Sequence, residues 1–309
     1  MDLDESGLDI GSGGRTEPDG PPPDAGPAPA QPDQPGRARR TGRNLPIAIA
    51  VGAGLGGLAI LTLLTVMVTF LVLTAGAVAY ALRELSRVMR LREIVLPLVP
   101  LYLGIAGIWG CAYWLGYRAG FGAVVLTVIA IFTWRLPGGA DGYLRDVMAG
   151  LFALTYLVLL GVSVAFMLNM TDGAHRTLLF LVLAVCSDTG GYFAGILVGK
   201  HPLAPVISPK KTWEGLAGSA IACLAAGGIL LPVLLHGHAW QGLLLGTAAV
   251  TMATLGDLIE SMIKRDLEIK DMGRIFPGHG GAMDRLDSLV FVAPVTWLLL
   301  AVFVPHAAH

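Results

Sequence analysis

From Leu45 to Leu82 the chain carries no Asp, Glu, Lys, Arg or His, a run of thirty-eight uncharged and mostly apolar residues. About 20 such residues in a helix already span the hydrocarbon core of a bilayer. A chain in lipid must satisfy its own backbone hydrogen bonds, so this run predicts a hairpin of two transmembrane helices. The rest of the sequence has the same character: 54% of its 309 residues are hydrophobic and 14% are charged, against about 25% charged in an average soluble domain. That balance excludes a water-soluble fold, which needs far more polar surface than this chain can supply. The net charge of −1 averages two unlike regions and says nothing about partners.

Further apolar runs near 94–116, 119–136, 147–168, 176–199, 214–236, 240–262 and 288–305 bring the expected spans to nine. The expected fold class is therefore all-α, a polytopic integral membrane protein. Residues 1–36 are rich in Pro, Gly, Asp and Ala; such a segment cannot bury enough apolar area to offset its chain entropy and is expected to be disordered. It contains no apolar stretch of the kind a cleavable signal needs. Arg37, Arg39, Arg40 and Arg43 form a basic collar before the first span, which favours a cytoplasmic N-terminus. Starting inside, the loops at 83–93, 136–146, 200–213 and 263–287 fall in the cytoplasm, and they hold most of the arginines and all the lysines. The expected organisation is a tail over 1–43, an N-terminal transmembrane region over 44–175 and a C-terminal catalytic region over 176–309. Cys111, Cys186 and Cys223 lie within apolar runs with no metal-type spacing, and read as small hydrophobes.

The charges that do occur are clustered. All five lysines, Lys200, Lys210, Lys211, Lys264 and Lys270, fall between 200 and 270, and ammonium groups are good partners for phosphate. Asp188 sits in the middle of an apolar run, "LAVCSDTGGYFAG", where a carboxylate normally faces a partner or a wet cavity. In "ISPKKTWEG", Ser208-Pro209 reads as an N-cap followed by proline at the first helical position. That would place Lys210, Lys211 and Glu214 in the first turn of a helix whose free amides attract an anion. In "LGDLIESMIKRD", Asp257, Glu260, Ser261 and Lys264 recur at i, i+3, i+4 and i+7, one stripe of a helix. Two carboxylates on one face within an apolar span call for a cation, and hard oxygen ligands suit Mg²⁺; pairing of Glu260 with Lys264 is the alternative. The stretch "GILVGKH" at 195–201 has neither the spacing nor the Ser or Thr of a phosphate-binding P-loop.

Residues 276–288, "FPGHGGAMDRLDS", combine a bare turn with charge. Gly278, Gly280 and Gly281 let backbone amides approach an anion. Asp284 and Asp287 are again i, i+3, with Arg285 between them, and His279 could hold phosphate or serve as an acid. Phosphate-binding groups beside metal-binding carboxylates are the parts of phosphoryl or nucleotidyl transfer.

These residues resemble a known family. Ser261, Lys264-Arg265, Lys270-Asp271, Gly273, Phe276-Pro277, His279-Gly280-Gly281, Asp284-Arg285 and Asp287 are similar, at uninterrupted spacing over 27 residues, to the C-terminal motif of phosphatidate cytidylyltransferases, also called CDP-diacylglycerol synthases. "SDTGGY" and "SPKKTWEG" resemble two upstream motifs of that family, so the likeness covers roughly 180–290. Ala282 and Gly191 depart from it, at packing positions. The resemblance implies that CTP and phosphatidate give CDP-diacylglycerol and pyrophosphate, with Mg²⁺ and a second cation such as K⁺, in a homodimer of the cell membrane. It implies Asp257 and Asp284 as first metal ligands, with Asp188, Glu260 and Asp287 next. It also implies catalytic roles for Lys264, Arg265, Lys270, Asp271, His279 and Arg285, and substrate contacts from Ser208, Lys210, Lys211, Glu214, Ser261, Gly278, Gly280 and Gly281. Two other classes use similar parts: a CTP-dependent lipid-alcohol kinase, which transfers the γ-phosphate, and a transporter of a phosphorylated metabolite, which would show repeat symmetry.

Overall fold

The computed structural model describes residues 45–273, 275 and 280–304, with side chains from residue 52 onward. The expected tail, with its arginine collar, lies outside the described residues. The apolar runs form α1 (Leu45–Thr65), α2 (Met67–Arg90), α3 (Leu98–Leu115), α4 (Tyr117–Trp134), α5 (Tyr143–Ala153), α6 (Ser163–Leu168), α7 (Gly173–Val198), α8 (Trp213–Leu235), α9 (Ala239–Asp266) and α10 (Met283–Phe303). Among the described residues, eight helical runs are long and apolar enough to cross a membrane, Tyr143–Leu168 counting as one, and α1 adds a further uncharged helix. The protein is a predominantly helical membrane protein, as its composition requires.

The helices depart from expectation at three places. First, α2 continues past Leu82, so Arg83, Glu84, Arg87 and Arg90 are helical rather than loop. Leu, Arg, Glu and Met are good helix formers, and this end of α2 buries Glu84, Leu85, Val88 and Met89. Second, the fifth span begins at Tyr143 and is interrupted by a π-helical turn at Leu154–Leu159. Turns of this kind concentrate at functional sites; this one carries the buried Tyr156. Third, residues between α7 and α8 form an antiparallel hairpin of β1 (Pro202–Ala204) and β2 (Ser208–Thr212), pairing Pro202 with Thr212 and Ala204 with Ser208.

The hairpin corrects the helix start expected at Ser208-Pro209. The residue before a proline is driven to extended backbone, and a proline is tolerated in an edge strand. The true N-cap is Thr212, extended at φ −122° and ψ 154°, whose hydroxyl accepts the Gly215 N–H at 3.1 Å. Lys210 and Lys211 thus stand on a strand, not in a helical turn.

Packing follows chain order. Gly116, at φ +82°, turns α3 directly into α4, and α7, α8, α9 and α10 pack each on the next. Apolar surface gives no net drive for helices to associate in lipid, so close approach at small residues takes over. A Cβ on Gly218 of α8 would lie 2.7 Å from the Gly190 carbonyl oxygen of α7. At one end of the bundle, the fully buried Asp146 accepts the Val95 N–H at 3.0 Å and pairs with Arg135 at 2.7 Å. At that same end Arg92 reaches Glu268 at 3.1 Å. At the other end Arg176, 1% exposed, pairs with Asp172 at 2.7 Å and donates to the Leu300 and Val304 carbonyls that close α10.

Candidate active site

The end that carries Arg92 and Asp146 also holds the β-hairpin, the last turns of α7 and α9 and the first turn of α10. A cavity of about 420 Å³ opens among them. Its size suits a small-molecule ligand. Each wall traces to a local pattern. From α7 come Ser187, Asp188, Gly191, Tyr192 and Gly195; from the hairpin, Leu203, Lys210, Lys211 and Thr212. From α9, Thr254, Asp257, Glu260, Ser261 and Lys264 form the predicted helical stripe, with Thr254 extending it by one turn. The first turns of α10 supply Asp284, Arg285 and Asp287.

Within the cavity, positive and negative groups alternate. The Lys211 ammonium bonds the Asp257 carboxylate across 46 residues of chain. Lys264 bonds Glu260 on its own helix and also reaches Asp284 Oδ1 at 3.0 Å. The expected Glu260–Lys264 pair therefore exists, but as part of a three-membered bridge from α9 to α10. Asp284 has further partners: its Oδ2 accepts the N–H groups of Gly281 at 2.7 Å and of Met272 at 3.2 Å. Gly280, at φ +83°, makes the turn that presents the Gly281 amide. Glu260 is 1% exposed, and among the described residues its Oε1 has no hydrogen-bond partner. Ser219, on the α8 wall, donates to the Ser187 carbonyl and ties α8 to α7 beside Asp188.

Asp287 lies within electrostatic reach of Asp188, Asp257 and Glu260, and Asp188 within reach of Asp257. Among the described residues, no three acid, His or Cys side chains stand close enough to hold a metal in this arrangement, in which lysines pair with three of the acids, Asp257, Glu260 and Asp284. The donor set is nonetheless made of hard carboxylate oxygens, and the buried, unpartnered Glu260 Oε1 is a vacant acceptor of the kind a divalent cation takes.

Several expected site residues stand elsewhere. Ser208 and Glu214 do not line the cavity. Glu214 accepts the Lys200 and His201 N–H groups at 3.1 and 3.2 Å and meets His201 Nδ1 at 2.6 Å, so it braces the hairpin against α8. Arg265, Lys270 and Asp271 are exposed beyond the cavity wall. Gly280 and Gly281 act through Asp284 rather than on the cavity itself. Gly278 and His279 lie outside the described residues. Sequence patterns missed Thr254, Thr212 and Ser219, which are uncharged; of the three, only Thr254 had a signal, lying three residues before Asp257 on the same stripe of α9. They also missed two buried groups from the N-terminal half: Glu84 on α2, and Tyr156, whose hydroxyl lies within electrostatic reach of Glu260, Asp287 and Asp257. Glu84 had one signal, being the single acid among the arginines between 83 and 92.

The sequence matches known proteins. A model of the cytidylyltransferase family matches residues 46–303. A phosphatidate cytidylyltransferase of Mycobacterium leprae is 42% identical over 285 residues, covering 84% of this chain and 89% of that protein. One of Mycobacterium bovis is 38% identical over 279 residues, covering 84% and 90%. One of Staphylococcus haemolyticus is 40% identical over 155 residues, covering 50% of this chain and 60% of that protein.

Proposed function

The chain belongs to the cytidylyltransferase family and is a nucleotidyltransferase enzyme, and on that premise we propose how its cavity carries out the reaction of its relatives. Its substrates are CTP and phosphatidate, and its products CDP-diacylglycerol and pyrophosphate. The observation that carries the reading is the meeting of Lys210, Lys211, Lys264 and Arg285 with five carboxylates in one cavity at one end of a membrane bundle.

A phosphate oxygen of phosphatidate attacks the α-phosphorus of CTP. The new P–O bond forms as the bond to the β-bridging oxygen breaks, and pyrophosphate leaves with the electron pair. The attacking oxygen is already anionic, so no strong general base is required. Lys211 and Lys264, now paired with carboxylates, stand ready to exchange those partners for phosphate oxygens, with Lys210 and Arg285 beside them. Preorganised charge of this kind acts most strongly in a site shielded from water. Mg²⁺ would be held by Asp257 and Asp284, with Asp188, Glu260 and Asp287 beside them, and would neutralise phosphate charge; K⁺ is the proposed second cation. Among the described residues the donor set holds neither thiol nor imidazole, and its carboxylates support a hard cation.

We place the cavity end in the cytoplasm, where CTP is available, and the protein in the cell membrane, as a homodimer. The arginines of α2 and the lysines of the hairpin and α9 support that orientation. Phosphatidate would enter sideways from the inner leaflet. The test uses protein purified in detergent with phosphatidate, Mg²⁺ and CTP labelled separately at the α and γ phosphates. Transfer of the α label to lipid with release of pyrophosphate is expected. Transfer of the γ label would instead make the protein a lipid kinase, and transfer of neither would end the nucleotidyltransferase reading of this cavity.

A further inference from the structure

Glu84 lies 199 residues from α10 in sequence and belongs to a helix without any residue in the cavity, yet its carboxylate is buried against the segment that shapes the cavity. Its Oε2 accepts the N–H of Met283 at 2.9 Å. Met283 opens α10, and the residue before it, Ala282, offers no side-chain cap. The first amides of a helix have no partners within it, and a carboxylate suits that end of the helix dipole. Glu84 therefore caps α10 from another helix.

The chain also folds around that carboxylate. A Cβ on Gly273 or on Gly281 would overlap the Glu84 carboxylate, so a side chain at either position would displace it. Gly281 is the residue whose amide donates to Asp284 at 2.7 Å, and Met272, next to Gly273, donates to the same carboxylate. Glu84 thus bonds Met283 and packs against Gly273 and Gly281, and Asp284 follows Met283 in the chain and accepts from Gly281 itself and from Met272, the neighbour of Gly273. At the C-terminal end of α2 the tie is repeated, as Arg92 pairs with Glu268 at 3.1 Å and donates to the Asp266 carbonyl at 3.4 Å. For stability alone this is a poor arrangement, since among the described residues the buried Glu84 Oε1 has no hydrogen-bond partner, and an unsatisfied buried acceptor is destabilising.

We propose that Glu84 is a positioning residue for the transfer reaction: by holding Gly273, Gly281 and Met283 it sets the orientation of Asp284 in the cavity. The proposal rests on the nucleotidyltransferase reading above. What matters in this role is reach and shape rather than charge, because the contact that counts is one backbone N–H at the start of α10.

The experiment compares wild type with Glu84→Ala, Glu84→Asp, Glu84→Gln and Gly273→Ala, all full-length and in detergent. It measures kcat and KM for α-label transfer, the unfolding midpoint, and amide hydrogen exchange across the chain. Misplacement by about 1 Å can cost on the order of 10²-fold in rate, so Glu84→Ala and Gly273→Ala are expected to lose about that much kcat with KM near wild type. Glu84→Asp, too short to reach the Met283 amide, is expected to be as poor as Glu84→Ala, while Glu84→Gln, which keeps an acceptor there, recovers most of the turnover. Wild-type kcat in Glu84→Ala, or rescue by Asp but not by Gln, would overturn the proposal. Should Glu84→Ala fail to fold, Gly273→Ala and Glu84→Gln decide it by the same criteria. Hydrogen exchange separates this idea from the reaction it serves. If wild type transfers no label, the functional reading fails, but faster exchange confined to Met272, Gly281 and Met283 in Glu84→Ala would still establish the positioning contact. Unchanged exchange there would remove it.

Discussion

Lys264 is the residue on which most of the site converges. Its ammonium neutralises Glu260 on its own helix and Asp284 on the next, and both carboxylates are buried. Removing one partner from a buried ion network typically costs about 3–5 kcal/mol, because a charge is left uncompensated. Lys264→Met is therefore expected to lower the unfolding midpoint clearly as well as to abolish transfer. Asp257 is different, being partly exposed to the cavity and paired with Lys211 from the hairpin. Asp257→Asn preserves shape, so its unfolding midpoint should stay near wild type while turnover falls about 10²–10³-fold, the range for one electrostatic contributor to a transition state. Stability loss without loss of turnover in that variant would show that Asp257 serves packing only.

At the scale of elements, the joints between helices matter more than their middles. Gly116 joins α3 to α4 at φ +82° and ψ −178°, a region that is essentially reserved to glycine and costs other residues about 1–3 kcal/mol. Gly116→Ala should destabilise by about that amount and leave KM unchanged, as a denaturation series in detergent can check. Thr212 ends β2 and caps α8 at once. Loss of an N-cap hydroxyl costs about 1 kcal/mol, but Thr212 also lines the cavity. Thr212→Ala should therefore raise KM for CTP more than its effect on stability explains, whereas Thr212→Ser should restore both.

For the whole molecule, the alternation of helices puts the hairpin and the loop at 236–238 at opposite ends. In a background without Cys111, Cys186 and Cys223, a cysteine replacing the exposed Val206 should react with impermeant reagents only from the cytoplasmic side, and one replacing His236 only from the other. The opposite pattern would invert the proposed orientation. Chelation of divalent cations should stop transfer reversibly, with activity restored by Mg²⁺. Activity that survives full chelation would remove the metal role from the five carboxylates.

How much of this was legible beforehand divides along the range of the interactions. The sequence by itself determined the membrane, the apolar helical runs and the charged residues that line the cavity, because hydropathy and helical spacing are local and Asp257, Glu260, Ser261 and Lys264 align on any α-helix. It placed the start of α8 wrongly at Ser208, since whether a Ser-Pro pair opens a helix or joins a strand depends on the partner strand at Pro202–Ala204. It counted Glu214 with the substrate contacts, and only the fold shows that carboxylate turned to His201 and the amides behind it. Pairings such as Lys211 with Asp257, and Glu84 with the first amide of α10, join residues 46 and 199 positions apart. No local period encodes such distances; they exist only once helix packing has brought α2, the hairpin, α9 and α10 to the same end of the bundle.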